Sequence, residues 1–330
     1  MKEKGFLLPL LLVCLVLILS ACSALPGSTQ SHREGRVTVQ QGGPATIPFQ
    51  GSEYTDNPLI GQFWSPATES FVSWREVARY MPRGGWLMLG EQHDHPDHHL
   101  VQAYFIYYLA ERGLLGHVAM EMIASDQQRA IDAYQGAPER VKPEDLNWPS
   151  RGWPWERYEH QVKAALELSP RLIFGDLSTE QKNAVRTSEE GIAHYSDRHT
   201  AFMAELIVAS HCNMFSIERA TPMVDMQIAR DQVMAQQMIA HALPGQVGVF
   251  IAGSGHVRAD YGAPLWMAED VPVHTLILVG VGEGSDPRDY LKVQGVSSGP
   301  EEKNPADLLF FVPGIPKVDY CESFRQSRSE

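Results

Sequence analysis

The chain has no excess of positive charge to offer. Its 330 residues carry 27 Lys and Arg against 40 Asp and Glu, a formal net charge of -13. Phosphate backbones are bound by basic stripes, and none is visible, so nucleic acid is excluded as a partner. Cysteine is scarce, with four in all. None stands in a CxxC or HxC spacing, which excludes a zinc site built on them. "GSGH" and "GVGEGSD" lack the spacing of a dinucleotide loop, so a nucleotide site has no support. No solenoid period is apparent. The longest apolar run, Phe6 to Leu19, is too short and wrongly flanked for a membrane-spanning helix.

That run has a different use. A charged start, the apolar stretch and then Leu19-Ser20-Ala21-Cys22 form a processing segment. "LSAC" resembles the bacterial lipobox. The resemblance implies a signal peptide over 1–21, cleavage before Cys22, and lipidation, palmitate included, of that cysteine. Ser23 in the next position implies sorting to the outer membrane. Several acyl chains on one residue anchor a protein stably where one does not. Residues 22–57, rich in Gly, Ser, Pro, Gln and Thr, read as a flexible tether, and 58–330 as the folded domain. Processing removes Cys14 and commits Cys22. Cys212 and Cys321 then either pair in an oxidising envelope or stay as two buried thiols.

The domain alternates short apolar runs with helical patterns. "GWLMLG", "GHVAMEMI", "RLIFGDLS", "VGVFIAGSGH" and "VHTLILVGVG" read as strands. "HHLVQAYFIYYLAERG" and a long stretch bounded by Pro222 and Pro244-Gly245 read as helices. Apolar runs alternating with helices predict an α/β fold, a mainly parallel sheet buried on both faces. Extra helical material around 137–215 predicts a smaller helical lid.

In such a sheet ligands bind beyond the carboxyl ends of the strands. Those ends carry the chemistry here. The first ends in Gly90-Glu91-Gln92-His93, the second holds Glu121, the third ends in Asp176, and the fourth ends in Gly253-Ser254-Gly255-His256. The first and fourth share one pattern: apolar run, Gly, two residues, His. Glu121, flanked by two methionines, is the hardest to leave unexplained, because a buried carboxylate costs several kcal/mol unless paired. His95, Asp97, His98 and His99 read as a solvated first helical turn. Met223, Met226, Met234 and Met238 read as core, and Arg230 and Asp231 as helix-surface pairs or a buried ion network. Arg258 and Tyr261 follow His256 closely. A phenol beside a cation ionises more readily, and phenolate suits ferric iron. From spacing alone, a packed aromatic in the loop Tyr261-Gly262-Ala263-Pro264 is the favoured reading.

"LMLGEQHDHPDHH", "AMEMI", "RDQVMA" and "AGSGHVRADYGAP" behind a lipobox resemble the ChaN-type haem-binding uptake lipoproteins, which group with Tiki, TraB and erythromycin-esterase-like proteins. The resemblance covers roughly Gly61 to Gly280. It implies ferric haem as cofactor, a homodimer with two haems face to face, tyrosine on the iron and an outer-membrane haem receptor as partner. On that reading Tyr261 ligates iron, Arg258 faces a propionate, and His93 and His256 line the ligand. Tyr158 and Tyr195 are the rival ligands. Relatives with hydrolytic activity imply the alternative, a metal-dependent peptidase or esterase with Glu91, His93, Glu121 and His256 as its catalytic groups.

Overall fold

The computed structural model describes residues 47–188, 192–293, 296 and 300–322. The signal segment, Cys22 and residues up to 46 lie outside the described residues. Eight strands form one sheet: β1 (Phe63–Ser65), β2 (Ser70–Val72), β3 (Gly85–Glu91), β4 (Leu115–Ala124), β5 (Leu172–Asp176), β6 (Val247–Gly253), β7 (Val273–Gly280) and β8 (Leu308–Val312). Their order is β2-β1-β8-β7-β3-β6-β4-β5. The six from β8 to β5 run parallel, and the short β1 and β2 close one edge antiparallel. The helices are α1 (Trp74–Arg79), α2 (Pro96–Glu111), α3 (Gln128–Asp132), α4 (Trp155–Leu168), α5 (Thr179–Thr187), α6 (Asp197–Ser210), α7 (Ile217–Ala240) and α8 (Ser254–Val257). None of the described helices is long and apolar enough to cross a membrane.

Strand β3 shows why the sheet is buried on both sides. Successive side chains point to opposite faces. Leu87 and Leu89 join the core that includes residues of α2 and α4, while Trp86 and Met88 join the core that includes Met234 and Met238 of α7. The Trp86 indole N–H finds its partner in the Met238 carbonyl at 2.7 Å. Each such fully buried apolar side chain contributes about 1.5–3 kcal/mol. The two later methionines of the α7 stripe are therefore core.

The structure departs from the sequence reading in four places. The domain begins earlier than residue 58. Ile47 and Phe49 already pack on the core, and the Gln50 and Gly51 amides donate to Asp97. The glycines and prolines around those two apolar residues make them read as tether. The expected lid is smaller than 137–215, because α4 packs on α2 and β5 belongs to the sheet. What remains is α6 with the first half of α7, around an apolar cluster of their own that includes Phe202, Val224 and Tyr261. Helix α7 starts at Ile217 and carries Pro222 inside it, not as its boundary. Pro222 is the sixth residue of that helix, past the first-turn positions, so it forfeits the bond an amide there would make to the Glu218 carbonyl. Finally, the sequence from His95 to His99 is not a solvated turn. His95, Asp97, His98 and His99 are all buried.

Candidate functional site

Strands β3, β4 and β6 are parallel neighbours, so their carboxyl ends reach one edge of the sheet together. Glu91, Glu121 and Gly253 arrive there with them. A cavity of about 840 Å³ opens at this edge and is lined by Glu91, His93, Glu121, His256, Arg258 and Tyr261. All four expected catalytic groups and the expected haem ligands therefore border one space. A second cavity, about 550 Å³, is lined mainly by apolar and aromatic side chains such as Phe63, Trp74 and Phe310. It lacks the titratable groups of the first.

Glu91 is buried and fully engaged. Its two oxygens accept from the Tyr158 hydroxyl at 2.7 Å and from Gln102 at 2.7 Å, and they meet His93 at 2.8 Å and His99 at 3.4 Å. Burial alone raises a carboxyl. Here the bonds from His93 and His99 outweigh it and hold Glu91 well below the usual carboxylate range. His93 is raised in return, because Glu91 outweighs the effect of its own burial. Its ring stands edge-on to Trp153, 4.7 Å away. It also lies over Gly253, where any Cβ would come within 2.8 Å of the imidazole. Only glycine permits that approach.

Glu121 anchors the second cluster. Arg230 of α7 donates to it at 2.6 Å, the Gly253 amide at 2.7 Å, and His256 lies 3.4 Å away. Burial would raise Glu121, but His256 and Arg230 outweigh it and keep it ionised far below the normal range. Arg230 also reaches Asp176 at 3.0 Å, and Lys182 completes that pair at 2.7 Å. His256 is bound on its other side by Asp231 at 2.6 Å. Burial would lower its pKa; Glu121 and Asp231 together push it up to about 9. His256 is thus an imidazolium at neutral pH. Arg230 and Asp231, which read as helix-surface pairs or a buried ion network, form the buried network and belong to the site. Their only sequence signal is adjacency on a helix, which does not say where the helix points.

Two expectations are corrected here. Arg258 does not face the cavity as a free cation. Its guanidinium pairs with Asp260 at 2.6 and 2.9 Å and donates to the Leu291 carbonyl. Nor is the Tyr261 phenol made easier to ionise. Burial pushes it up to about 12, more than the nearby Arg258 pulls it down. The rival tyrosines sit differently. Tyr158 is sealed in the core, its hydroxyl spent on Glu91, which with burial raises its pKa far above normal. Tyr195 is 40% exposed and packs near Trp266 and His199, outside the cavity lining.

These environments limit the chemistry. A general base works best with a pKa near the operating pH. Glu91 and Glu121 are both held far below it, each saturated by donors. No group of three or more His, Cys, Asp and Glu among the described residues is placed to hold a metal ion. His98 adds a neutral donor. Burial, then His95, drives its pKa well down, and its Nδ1 accepts from the Gln92 amide at 2.9 Å. Its proton therefore sits on Nε2, which is buried without a partner.

Residues 77–267 match the family described as haem-binding uptake, Tiki superfamily, ChaN. Among solved structures, that of cofacial haem binding to ChaN of Campylobacter jejuni is similar with a TM-score of 0.61 at 19% identity, covering 75% of this chain and 95% of that one. At that identity the likeness concerns the fold. The erythromycin esterase EreC in its open conformation aligns over 78% of this chain and 99% of its own, at 13% identity and a TM-score of 0.38, too distant to argue from. No curated protein matches the chain. The match to the family spans more than half of the sequence and contains every residue of both glutamate clusters: the chain belongs to the ChaN family of haem-binding uptake proteins in the Tiki superfamily.

Proposed function

We propose that this protein is a lipid-anchored carrier or store that holds ferric haem in the cavity at the sheet edge, with Tyr261 on the iron. One observation carries the reading. Of the three candidate tyrosines, Tyr261 alone lines that cavity, and it shares it with His93, His256 and an apolar wall of Met203, Leu206 and Ile207. Haem is a flat apolar ring with an anionic rim, and a cavity with one apolar wall and a few placed polar groups suits it. Arg258 is tied to Asp260 and His256 lies between Asp231 and Glu121, so neither stands as a free cation for the ligand's anionic rim. Ferric iron, when bound, would be held by the Tyr261 oxygen and would favour the phenolate over a phenol that burial otherwise pushes up to about 12.

Cys22 supplies the anchor, in the outer membrane, and an outer-membrane haem receptor is the source. Two copies bring their haems face to face; the cofacial haem of the Campylobacter jejuni protein, similar in fold, supports this arrangement. Hydrolysis gains nothing comparable, because both glutamates are locked as acceptors.

One experiment tests anchor and dimer together. The Cys22→Ser chain is expected in the soluble envelope fraction, and its sedimenting mass should double when ferric haem is added. A chain still membrane-bound after a salt wash removes the anchor. A mass indifferent to haem removes the dimer.

A further inference from the structure

Strand β8 is parallel to β7 and so to β3, and its chain leaves the sheet at the edge that bears the cavity. The segment after it is fastened at both ends. At the near end the His95 Nε2–H donates to the Pro313 carbonyl at 3.0 Å, and Gly314 pairs with Glu53 through two backbone bonds. At the far end the Tyr320 hydroxyl donates to Asp94, and Cys321 is disulfide-bonded to Cys212. Asp94 follows His93, and Cys212 follows His211 at the end of α6; His93 and His211 both line the cavity. The segment's two ends are therefore fastened on opposite borders of the cavity, the β7–β8 side and the rim at the α6 end, and none of its residues lines the cavity itself. Cys212 and Asn213 both adopt left-handed backbone, with φ of 62° and 56°. Left-handed residues just past a C-cap are a common way for a helix to end, and here they turn the chain at the end of α6.

We propose that residues 315–322 are a strap tied across the mouth of the cavity, and that breaking the Cys212–Cys321 bond opens the cavity to ligand exchange. This rests on the reading of the cavity as the haem site. The segment itself is exposed, with Val318 and Tyr320 more than half accessible, as befits a cover with solvent on its outer side. Opening requires a dithiol. Its thiolate attacks one sulfur of the Cys212–Cys321 bond, and its second thiol closes a ring and leaves as the oxidised cyclic disulfide. Two electrons and two protons end on the two cysteines.

A gate lowers or raises a barrier for entry and exit alike, whereas a structural staple changes only stability. The test is stopped-flow mixing of ferric haem with the full chain, wild type against Cys321→Ser. Association and dissociation are both expected to accelerate about tenfold in the variant, with affinity changed far less. Dithiothreitol should convert wild type to the same kinetics. Tyr320→Phe keeps the bond and releases only the Asp94 end, so it should accelerate exchange by a smaller factor even if Cys321→Ser folds poorly. Amide hydrogen exchange at residues 92–94 and 210–213 gives a readout that needs no haem, and it should rise in both variants. Unchanged rates in a folded, haem-binding variant would overturn the strap and leave the haem site standing. A wild type that binds no haem would remove the function, and the strap would then stand or fall on whether the hydrogen exchange rises.

Discussion

Glu121→Gln is expected to destabilise the protein by about 3–5 kcal/mol, the cost of leaving one side of a buried charge cluster uncompensated. The shape of the side chain is kept, so packing is nearly unchanged. What is lost is the negative charge between Arg230, at 2.6 Å, and His256, at 3.4 Å. Arg230 retains Asp176 and His256 retains Asp231, which sets the lower bound of the loss. For a domain of this size the melting midpoint should fall by roughly 5–15 °C. The pH dependence identifies the cause. A histidine whose folded pKa is raised contributes stability that is fully present below its unfolded value and is lost as pH rises through the folded one. For His256 that window runs from 6.5 to about 9. Wild type should lose stability across it, and Glu121→Gln should lose less. Thermal melts of both proteins at pH 6 and pH 9.5 check this. A shift within about 0.5 kcal/mol, as for an ordinary surface change, would mean that Glu121 is not the hub of the cluster.

Tyr261→Phe is expected to abolish the charge-transfer band of the ferric complex and to weaken haem binding by at least roughly 10–100-fold. The ring that packs 5.1 Å from Phe202 and under Arg258 is kept, so the lid cluster should hold its shape. Only the oxygen that would meet the iron is removed. Glu91→Gln is the matching control. It takes one charge from a carboxylate whose bonds go to Tyr158, Gln102 and the histidines, and it should leave haem affinity largely intact. An unaltered ferric spectrum in Tyr261→Phe would take the ligand role from that residue. Tyr290, which also lines the cavity, would then be the next candidate, since Tyr158 is sealed against Glu91 and Tyr195 lies outside the lining.

Much of this site is written locally in the sequence. Apolar runs closed by glycine place Glu91 and Gly253 at strand ends, Glu121 stands inside an apolar run of its own, and parallel pairing does the rest. The two Gly-x-x-His endings do converge, His93 lying over the glycine that begins the other ending. What local pattern could not reveal depends on partners far along the chain. The turn from His95 to His99 reads as solvent-facing because its polar residues look unpaired. Asp97 and His95 find partners in Gln50, Gly51 and Pro313, up to 218 residues away, while His98 and His99 turn back to Gln92 and Glu91. Arg230 and Asp231 suffer the same ambiguity on a polar-rich helix. The run "LLFFV" of β8 carries a strand signal of its own, apolar and closed by Pro313. The pairing of Cys212 with Cys321, across a separation of 109 residues, stayed open until the fold brought the C-terminal segment to the end of α6.

The most direct measurement is an absorption titration of the purified protein with ferric haem. The site described above predicts saturation at one haem per chain and a high-spin spectrum with the charge-transfer band of a tyrosinate ligand. A linear, non-saturating rise indistinguishable from free haem would contradict haem binding at this sheet edge.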